Sequence, residues 1–246
     1  MNDVQIVILA AGKGSRLGLD TPKPLVTVGD KPMFLYVVES AKRAGIVHKP
    51  ILIISGDTKD IQNIVGNNAV YAFQEIPNGT GGAVLSAKNN IDENVPYTIV
   101  LYSDMPYIRP ETLSAMVTRI KETKAKIVLG LCSREGTSVF DSFGRIVRDT
   151  AGNIERIVEV RDANETEKAL LEVNPSRFCF DTKWLLGNLD KLDAHNAQSE
   201  YYLTDLIGLA IAQGEAVSSF DLSHDEGLGV NTPEELVYMR KIFEGA

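Results

Sequence analysis

The sequence has few of the residues that crosslink a chain. Only two cysteines occur in 246 residues, Cys132 and Cys179, and they form no CxxC pair. Both have apolar neighbours, so we expect two buried free thiols in a reducing compartment. A chain of this length can bury most of the surface that its unfolded form exposes, so it needs no disulfide or structural metal.

Long hydrophobic runs are also absent. Nothing approaches the roughly 20 apolar residues of a membrane span, and the first apolar run, residues 6–11, is too short for a signal peptide. We therefore expect a cytoplasmic protein without a membrane partner. The net charge of −8 argues against nucleic acid as the main partner, although local Lys and Arg residues can still bind a small anion. The oligomeric state stays open.

Short β-branched runs alternate with amphipathic stretches in the first part of the chain. The pattern predicts strands at residues 4–9, 51–54, 70–73, 98–101 and 127–131, and helices at 33–44, 59–65, 83–89 and 111–121. Several of these strands are apolar almost throughout, which is typical of parallel strands covered on both faces. The order predicts an α/β fold with a doubly wound, mostly parallel sheet and right-handed crossovers.

The pattern changes after about residue 140. We predict a hairpin at 145–148 and 154–160, a strand at 173–180, helices at 184–189 and 202–212, a strand at 216–220 and a closing helix at 234–243. No repeat or linker interrupts the chain. We therefore expect a single domain over residues 1–246, with a regular half to about residue 140 and a more irregular half from about 141.

A glycine-rich loop follows the first predicted strand. Ligands of open parallel sheets bind beyond the carboxyl ends of the strands. Small residues let the backbone approach a ligand and offer N–H groups to phosphate oxygens, while Arg and Lys suit a polyphosphate charge. The candidate ligand-binding residues here are Leu9, Ala10, Ala11, Gly12, Gly14, Ser15, Arg16 and Lys23.

Two common nucleotide-binding motifs do not fit this loop. A P-loop requires GxxxxGK[ST], which is absent, and Leu17 stands where the dinucleotide motif GxGxxG has its third glycine. A turn without a ligand is the remaining structural alternative, since glycine-rich turns often follow strands.

Two later segments carry further polar candidates. Gln74, Gly79 and Thr80 lie in a segment whose amide and backbone groups could read a base edge, or in which Thr80 could simply cap a helix. Asp104 follows an apolar strand, where a carboxylate is well placed for Mg²⁺, which prefers oxygen ligands. The alternative is that Asp104 caps a helix or closes a turn.

Together these segments resemble a known enzyme family. Leu9-Ala10-Ala11-Gly12-x-Gly14-Ser15-Arg16 with Pro22-Lys23 resembles the signature loop of nucleoside-diphosphate-sugar pyrophosphorylases, which usually have Thr at the position of Ser15. The run NAQSEYYLTD at 196–205 is similar to NAQGEYYLTD of the uridylyltransferase branch, the pyrophosphorylase domain of bacterial bifunctional N-acetylglucosamine-1-phosphate uridylyltransferases. The resemblance extends from about residue 4 to 240. It implies a Rossmann-like fold of the nucleotide-diphospho-sugar transferase type.

The resemblance also implies an activity and roles for individual residues. It implies an Mg²⁺-dependent sugar-1-phosphate nucleotidyltransferase that takes UTP and N-acetylglucosamine 1-phosphate, with a nucleotide-binding first half and a sugar-binding second half. Arg16, Lys23 and Asp104 would be catalytic, and Asp104 and Asn231 would hold the metal. The glycine-rich loop with Gln74, Gly79 and Thr80 would bind the nucleotide. The sugar would contact Gly144, Glu159, Asn174, Tyr202 and Thr204.

The chain departs from the pattern of that branch in the sugar region. It reads Asn174-Pro175-Ser176-Arg177 where the branch has Asn-Thr-Gly and then an apolar strand. Pro175 restricts its own backbone and that of Asn174. The sugar could therefore be glucose, N-acetylgalactosamine or a more anionic sugar that Arg177 could meet.

Other functions remain open at this point. The base could be thymine or cytosine, because Gly82 stands where the branch commonly has His. The acceptor could be a phosphorylated alcohol, or the protein could bind nucleotide sugars without catalysis. The bifunctional enzymes also carry hexapeptide repeats; none occurs in these 246 residues, so we expect no acetyltransferase activity from this chain.

Overall fold

The computed structural model describes residues 1–244. The strands are β1 Val4–Leu9, β2 Thr27–Val28, β3 Lys31–Pro32, β4 Ile51–Ile54, β5 Val70–Phe73, β6 Tyr97–Tyr102, β7 Ile127–Ser133, β8 Gly144–Arg148, β9 Ile154–Val158, β10 Glu172–Asn174, β11 Phe178–Asp181 and β12 Val217–Asp221. The helices are α1 Met33–Arg43, α2 Ile61–Val65, α3 Thr80–Ser86, α4 Pro110–Thr123, α5 Glu165–Lys168, α6 Thr182–Asn188, α7 Asp205–Ala212, α8 His224–Gly227 and α9 Pro233–Glu244.

The central sheet contains the strands in the order β5-β4-β1-β6-β11-β7, and β12 pairs with β7. Strands β5, β4, β1 and β6 are parallel to one another, and β12 is parallel to β7. The prediction of a mostly parallel sheet is confirmed. Strand β11 is the exception, because it runs antiparallel to both β6 and β7.

Helices cover both faces of this sheet. Successive side chains of a strand point to opposite faces, and β1 shows the consequence. Val7 packs in a cluster with residues of α3, α6 and α7. Ile6 and Ile8 pack on the other face with residues of α1, α2 and α4. Because both faces are buried, the parallel strands are apolar throughout, and the predicted doubly wound arrangement is confirmed.

The second half of the chain extends the sheet at the carboxyl end of β7. Strand β10 pairs antiparallel with the last residues of β7, through Val173 opposite Cys132. Strand β8 then pairs with β10 and β9 pairs with β8, also antiparallel. The predicted hairpin is therefore present, and it forms a wall beyond the carboxyl edge of the parallel strands.

Several predicted helix bounds were wrong by a few residues. Helix α3 begins at Thr80 rather than at residue 83, because Gly81 is part of the helix rather than of a loop. A Cβ atom on Gly81 would lie 2.9 Å from the carbonyl oxygen of Tyr201 and 2.6 Å from a methyl carbon of Leu192, so close packing requires glycine there. Helices α2 and α7 begin at Ile61 and Asp205, two and three residues later than predicted.

The strand predicted at 173–180 was wrong, because two strands, β10 and β11, occupy this region. The break falls where Pro175 has no N–H for a sheet ladder. Ser176 follows with φ of +56°, and its N–H donates to Oδ1 of Asn174 at 3.0 Å. This turn directs the chain from the antiparallel extension into the central sheet.

Both cysteines are buried free thiols, as predicted. Burial raises the pKa of Cys132 to about 12 and also raises the pKa of Cys179, so neither is poised to ionise at neutral pH. Within residues 1–244, no helix has the length and apolar character needed to cross a membrane.

Replacement of Ser176 by glycine should stabilise the fold. The left-handed backbone costs a residue with a Cβ atom roughly 1 kcal/mol relative to glycine. We therefore expect Ser176→Gly to raise the free energy of unfolding by about 1 kcal/mol, and Tm by about 2–4 °C for a chain of this size. Urea and thermal unfolding measure both quantities.

Lys124→Gly is the matched control, because Lys124 has φ of +52° at the exposed end of α4. It should give a similar gain. A loss of stability in Ser176→Gly alone would show that the hydroxyl of Ser176 contributes more than the backbone strain costs.

Candidate active site

The chain leaves β1 through an irregular loop that folds back on Lys23. Gly14 has φ of +75°, and a Cβ atom there would lie 2.5 Å from the Cβ atom of Lys23. The N–H of Lys23 donates to the carbonyl of Lys13 at 3.3 Å. Glycine alone combines this backbone conformation with so close an approach. Gly14 therefore fixes the position of Lys23 beside the loop.

A cleft of about 470 Å³ opens over this loop. It lies at the carboxyl ends of β1, β4 and β6, where ligands bind in open α/β sheets. Ala10 is buried below it with an exposed fraction of 1%, and Gly14 and Ser15 do not line it. The predicted residues that do line it are Leu9, Ala11, Gly12, Lys23, Gln74, Gly79, Thr80 and Asp104.

The loop after β4 also lines this first cleft, although the sequence analysis did not select it. Ser55, Gly56 and Asp57 contribute to the wall, and Oγ of Ser55 donates to the carbonyl of Ala11 at 3.0 Å. The predicted strand arrangement could have identified this loop. Since β4 was predicted as a parallel strand, the loop that follows it had to emerge at the same edge as the glycine-rich loop.

Hydrogen bonds within the segment predicted to read a base hold its residues together. Nε2 of Gln74 donates to the carbonyl of Gly79 and to Oδ1 of Asn78, both at 3.1 Å. Gly79 is the N-cap of α3, with φ of +100°. Thr80 is the first residue of that helix, and its Oγ1 accepts a hydrogen bond from the N–H of Leu203 at 3.1 Å. Thr80 is therefore not the helix cap that was considered as the structural alternative.

Three side chains from distant parts of the chain meet at the floor of the cleft. The ammonium of Lys23 donates to the carboxylate of Asp104 and to Oδ1 of Asn231 at 2.8 Å. The N–H of Val230 donates to the carbonyl of Asp104 at 2.9 Å, which places the two loops side by side. Helix α4 begins at Pro110 with Arg109 as its N-cap, so Asp104 caps no helix. It lies in the turn that follows β6, as the other structural alternative had it.

The donors around Lys23 suit a divalent cation. A carboxylate of Asp104 and an amide oxygen of Asn231 both face one cationic group, and both are oxygen ligands of the kind that Mg²⁺ takes. Among residues 1–244 there is no group of three or more His, Cys, Asp or Glu side chains that could hold a metal. A metal at this pair would therefore take its remaining ligands from water and substrate oxygens, which is usual for Mg²⁺.

A second cleft of about 260 Å³ adjoins the first. Thr80, Tyr102, Asp104 and Glu200 line both clefts, so the two cavities meet above Asp104. Strands β8 and β10 and the segments after β9 and before α7 build the far wall. The predicted residues on its wall are Arg16, Gly144, Glu159, Asn174, Tyr202, Thr204 and Asn231.

Glu159 is the principal carboxylate of the second cleft. Oγ1 of Thr204 donates to its Oε1 at 3.1 Å. Burial raises the pKa of Glu159 above its ordinary value, and Asp205 and Asp162 act in the same direction, against the hydrogen bond from Thr204. A Cβ atom on Gly144 would lie 3.3 Å from Oε1 of Glu159, so glycine at that position keeps the carboxylate accessible.

The second cleft also contains residues that sequence reasoning missed. Tyr102 ends β6, and Phe143 precedes β8. Arg16, expected beside a triphosphate, lines this cleft and not the first. No periodic pattern in the sequence predicts where the side chain of Arg16 points, because residue 16 lies in the loop after β1. The missed wall residues are Tyr102, Met105, Ser142, Phe143, Ser176, Gln198, Glu200 and Gly229.

The prediction that Arg177 could meet an anionic sugar was wrong. Its side chain is wholly buried, and Nη2 donates to the carbonyls of Met105 at 3.0 Å and Glu226 at 3.1 Å. The turn at Ser176 aims Arg177 away from the second cleft and into the protein. Asn174 remains on the wall of the cleft.

Comparisons with known proteins identify relatives of this chain. The bifunctional protein GlmU of Carboxydothermus hydrogenoformans is 40% identical over 238 residues, which cover 96% of this chain and 52% of that protein. GlmU of Geobacillus sp. (strain WCH70) is 38% identical over 240 residues, covering 96% of this chain and 51% of that protein. The chain thus spans about half the length of the curated relatives that it matches.

The fold has a solved counterpart, and a family model covers most of the chain. A crystal structure from Bacillus anthracis, of a protein assigned as a glucose-1-phosphate thymidylyltransferase and bound to sucrose, superposes with a TM-score of 0.78 at 18% identity, covering 99% of this chain and 96% of that one. The family model of the MobA-like NTP transferase domain matches residues 6–191. The chain therefore belongs to the MobA-like NTP transferase domain family and is a nucleotidyltransferase.

Proposed function

We propose that the protein transfers the uridylyl group of UTP to N-acetylglucosamine 1-phosphate, forming UDP-N-acetylglucosamine and pyrophosphate with Mg²⁺. One observation carries the proposal. Two clefts meet above Asp104, where Lys23 and Asn231 also lie. A reaction between two phosphate-bearing substrates needs such a junction, at which charge can be neutralised from both sides.

The first cleft suits the nucleotide. Ala11 and Gly12 lie on its wall, and a Cβ atom at position 12 would meet no protein atom within 4 Å. Glycine there leaves room for a triphosphate. Gln74 and Gly79 line the same cleft, and in the proposal they contact the base. In the proposal, residues up to about 140 form the nucleotide-binding half.

The second cleft suits the sugar. Glu159 and Asn174 offer an acceptor and an amide to hydroxyl and N-acetyl groups, while Tyr202 offers an aromatic surface. Residues from about 141 onward form this sugar-binding half of one domain. The likeness to the GlmU proteins supports uridine and N-acetylglucosamine, and it supports a place for the reaction in the cytoplasm.

The proposed reaction is a direct displacement. A phosphate oxygen of the sugar 1-phosphate attacks the α-phosphorus in line; the new P–O bond forms as the bond to the bridging oxygen breaks, and pyrophosphate leaves. The nucleophile is already anionic, so no side chain has to remove a proton. Catalysis then depends on positioning and on neutralisation of phosphate charge.

The residues at the junction divide this work. Asp104 and Asn231 would hold Mg²⁺, which when bound neutralises phosphate charge as a Lewis acid. The ammonium of Lys23 would leave their oxygens and pair with the phosphates. Arg16 would neutralise charge from the second cleft, and the N–H groups of the glycine-rich loop would fix the leaving group.

Pyrophosphate release tests the proposed substrates. UTP, dTTP, CTP, ATP and GTP are each combined with the 1-phosphates of N-acetylglucosamine, glucose and N-acetylgalactosamine in the presence of Mg²⁺. We expect strong release with UTP and N-acetylglucosamine 1-phosphate. Release with UTP and another sugar 1-phosphate would show that the sugar specificity differs from that of the uridylyltransferase branch. The difference would then be assigned to Pro175 and Ser176. Absence of release with every pair would contradict the proposal.

Loss of the carboxylate at position 104 should slow turnover strongly. Asp104→Ala removes one of two protein oxygens for the metal, so we expect kcat to fall by roughly 10²-fold or more, the scale for one preorganised charge-stabilising group. Steady-state pyrophosphate release measures the fall. Asp60→Ala, which removes an exposed carboxylate outside both clefts, is the control. Near-normal turnover in folded Asp104→Ala protein would exclude Asp104 from the metal site.

Ionisation of Glu159 should make stability depend on pH. Because burial raises the pKa of Glu159 in the folded state, the folded protein holds this proton more tightly than the unfolded chain does. The contribution of Glu159 to stability is therefore present below its ordinary pKa of 4.5. It is lost as the pH rises from there through the raised folded pKa.

Urea unfolding of wild type and Glu159→Gln between pH 4 and 8 isolates this effect. The neutral amide cannot ionise, so the free energy of unfolding of the variant should rise relative to wild type as the pH increases. A difference between the two proteins that does not change with pH would show that Glu159 ionises as freely in the folded protein as in the unfolded chain.

A further inference from the structure

Arg177 is a buried cation that the proposed reaction does not use. Its side chain is 0% exposed. Nη2 donates to two main-chain carbonyls, but Nε and Nη1 have no hydrogen-bond partner among the residues that the structure describes. Buried donors without partners cost stability, and apolar residues of similar volume often replace buried charges without loss. Stability alone therefore does not explain an arginine here.

The two carbonyls bound by Arg177 belong to the segments that carry Asp104 and Asn231. Met105 directly follows Asp104, and Glu226 lies in α8, five positions before Asn231 in the chain. The Nη2 atom is 3.0 Å from the carbonyl oxygen of Met105 and 3.1 Å from that of Glu226. A single nitrogen thus joins both segments from beneath the junction of the clefts.

Glu226 joins the same segments through its side chain. The carboxylate is buried and accepts hydrogen bonds from the main-chain N–H of Arg109 at 3.1 Å, from Nε of Arg109 at 2.9 Å and from the hydroxyl of Thr112. Burial would raise the pKa of Glu226, but the hydrogen bonds from Arg109 and Thr112 hold it below its ordinary value. The ionised carboxylate therefore fixes α8 against the start of α4.

Asp104 and Asn231 themselves lie outside helices and strands. No sheet ladder or helical turn sets the distance between them, so it depends on bonds between the two irregular segments. Those bonds include the Lys23 ammonium to Asp104 and Asn231, the Val230 N–H to the Asp104 carbonyl, the Glu226 carboxylate to Arg109 and Thr112, and the two bonds from Nη2 of Arg177. A cation site needs such support, because small displacements of ligands weaken binding.

Arg177 is a buried cation near the carboxylates of Asp104 and Glu226. Burial lowers the pKa of Arg177 to about 10, against the opposing effect of Asp104 and Glu226, so the side chain stays protonated at neutral pH.

We propose that Arg177 is a positioning residue, which fixes Asp104 and Asn231 at the spacing of a cation site by joining Met105 to Glu226. The inference rests on the proposed function in one respect, that this pair holds the metal. Arg177 touches neither cleft, and it acts through the two loops.

Mn²⁺ alone is the probe for this inference. Its affinity is measured from the electron paramagnetic resonance signal of the free ion, without nucleotide or sugar. In Arg177→Met, a side chain of similar length without donors or charge, we expect the Kd for Mn²⁺ to rise by about tenfold or more, the scale for losing a partner that orients metal ligands. Kinetically, kcat should fall while KM for both substrates changes little. Arg177→Lys keeps a donor and the charge, and its Kd should lie nearer to wild type.

Arg145→Met is the matched control. Arg145 is a second buried arginine, 2% exposed, whose guanidinium donates to the carbonyls of Asp141 at 3.0 Å and of Phe143. Its loss should lower the free energy of unfolding without changing Mn²⁺ affinity by more than about twofold. Equal weakening of Mn²⁺ binding in both variants would overturn the inference, as would a Kd for Arg177→Met within about twofold of wild type. If Arg177→Met does not fold, the same measurements are made on Arg177→Gln, which is uncharged and shorter. The same results would then support or overturn the inference.

Hydrogen exchange at the amide of Val230 separates this inference from the metal assignment. This amide reports the bond to the Asp104 carbonyl, and it should lose protection in Arg177→Met but not in Arg145→Met. If Asp104→Asn binds Mn²⁺ as wild type does, the metal assignment in the proposed function fails. Loss of Val230 protection would then still support the positioning role of Arg177, and retained protection would overturn it.

Discussion

The ammonium group of Lys23 joins three parts of the chain that are far apart in sequence. It binds the carboxylate of Asp104 and the amide oxygen of Asn231, 81 and 208 residues away. A different part of the fold positions each of the three residues. Lys23 is positioned by its close packing against Gly14, Asp104 by β6, and Asn231 by α8 and the loop before α9. The two clefts share this point, so their relation to each other depends on it. A change in the position of any of these three residues would therefore alter both clefts.

The parallel sheet explains why the clefts lie where they do. Parallel strands end at one edge, and the loops after β1, β4 and β6 meet there. The antiparallel extension of β10, β8 and β9 then forms a wall beyond that edge, because the turn at Pro175 and Ser176 separates β10 from β11. One sheet thus supports two different walls: a rigid parallel edge around the first cleft, and an antiparallel hairpin around the second. This division fits a transferase that positions two substrates in separate clefts.

Sequence reasoning succeeded where the physical signal is local. Apolar β-branched runs predicted the parallel strands, and an amphipathic stretch predicted the start of α4 to within one residue, because both patterns reflect short-range preferences. It failed where a neighbour in space decides the outcome. Gly81 lies in a helix because Tyr201 and Leu192 leave no room for a side chain. Arg177 points into the core because a left-handed Ser176 turns the chain. Ser55 and Asp57 line the first cleft because β4 is parallel to β1, which a motif search along the sequence does not register.

The sequence by itself determined the α/β class, the glycine-rich loop after the first strand, and the set of polar residues that could bind phosphates, a metal and a sugar. The class and the loop follow from residue type, period and spacing along the chain, whereas Asn231 and the residues proposed for the sugar follow from the resemblance of the sequence to nucleoside-diphosphate-sugar pyrophosphorylases. The tertiary structure decided which of those residues share a cleft, that Arg16 lines the second cleft, and that Arg177 is buried beneath Asp104. These outcomes depend on contacts between segments as far apart as residues 23 and 231. Packing and backbone conformation set such contacts, and no local pattern records them.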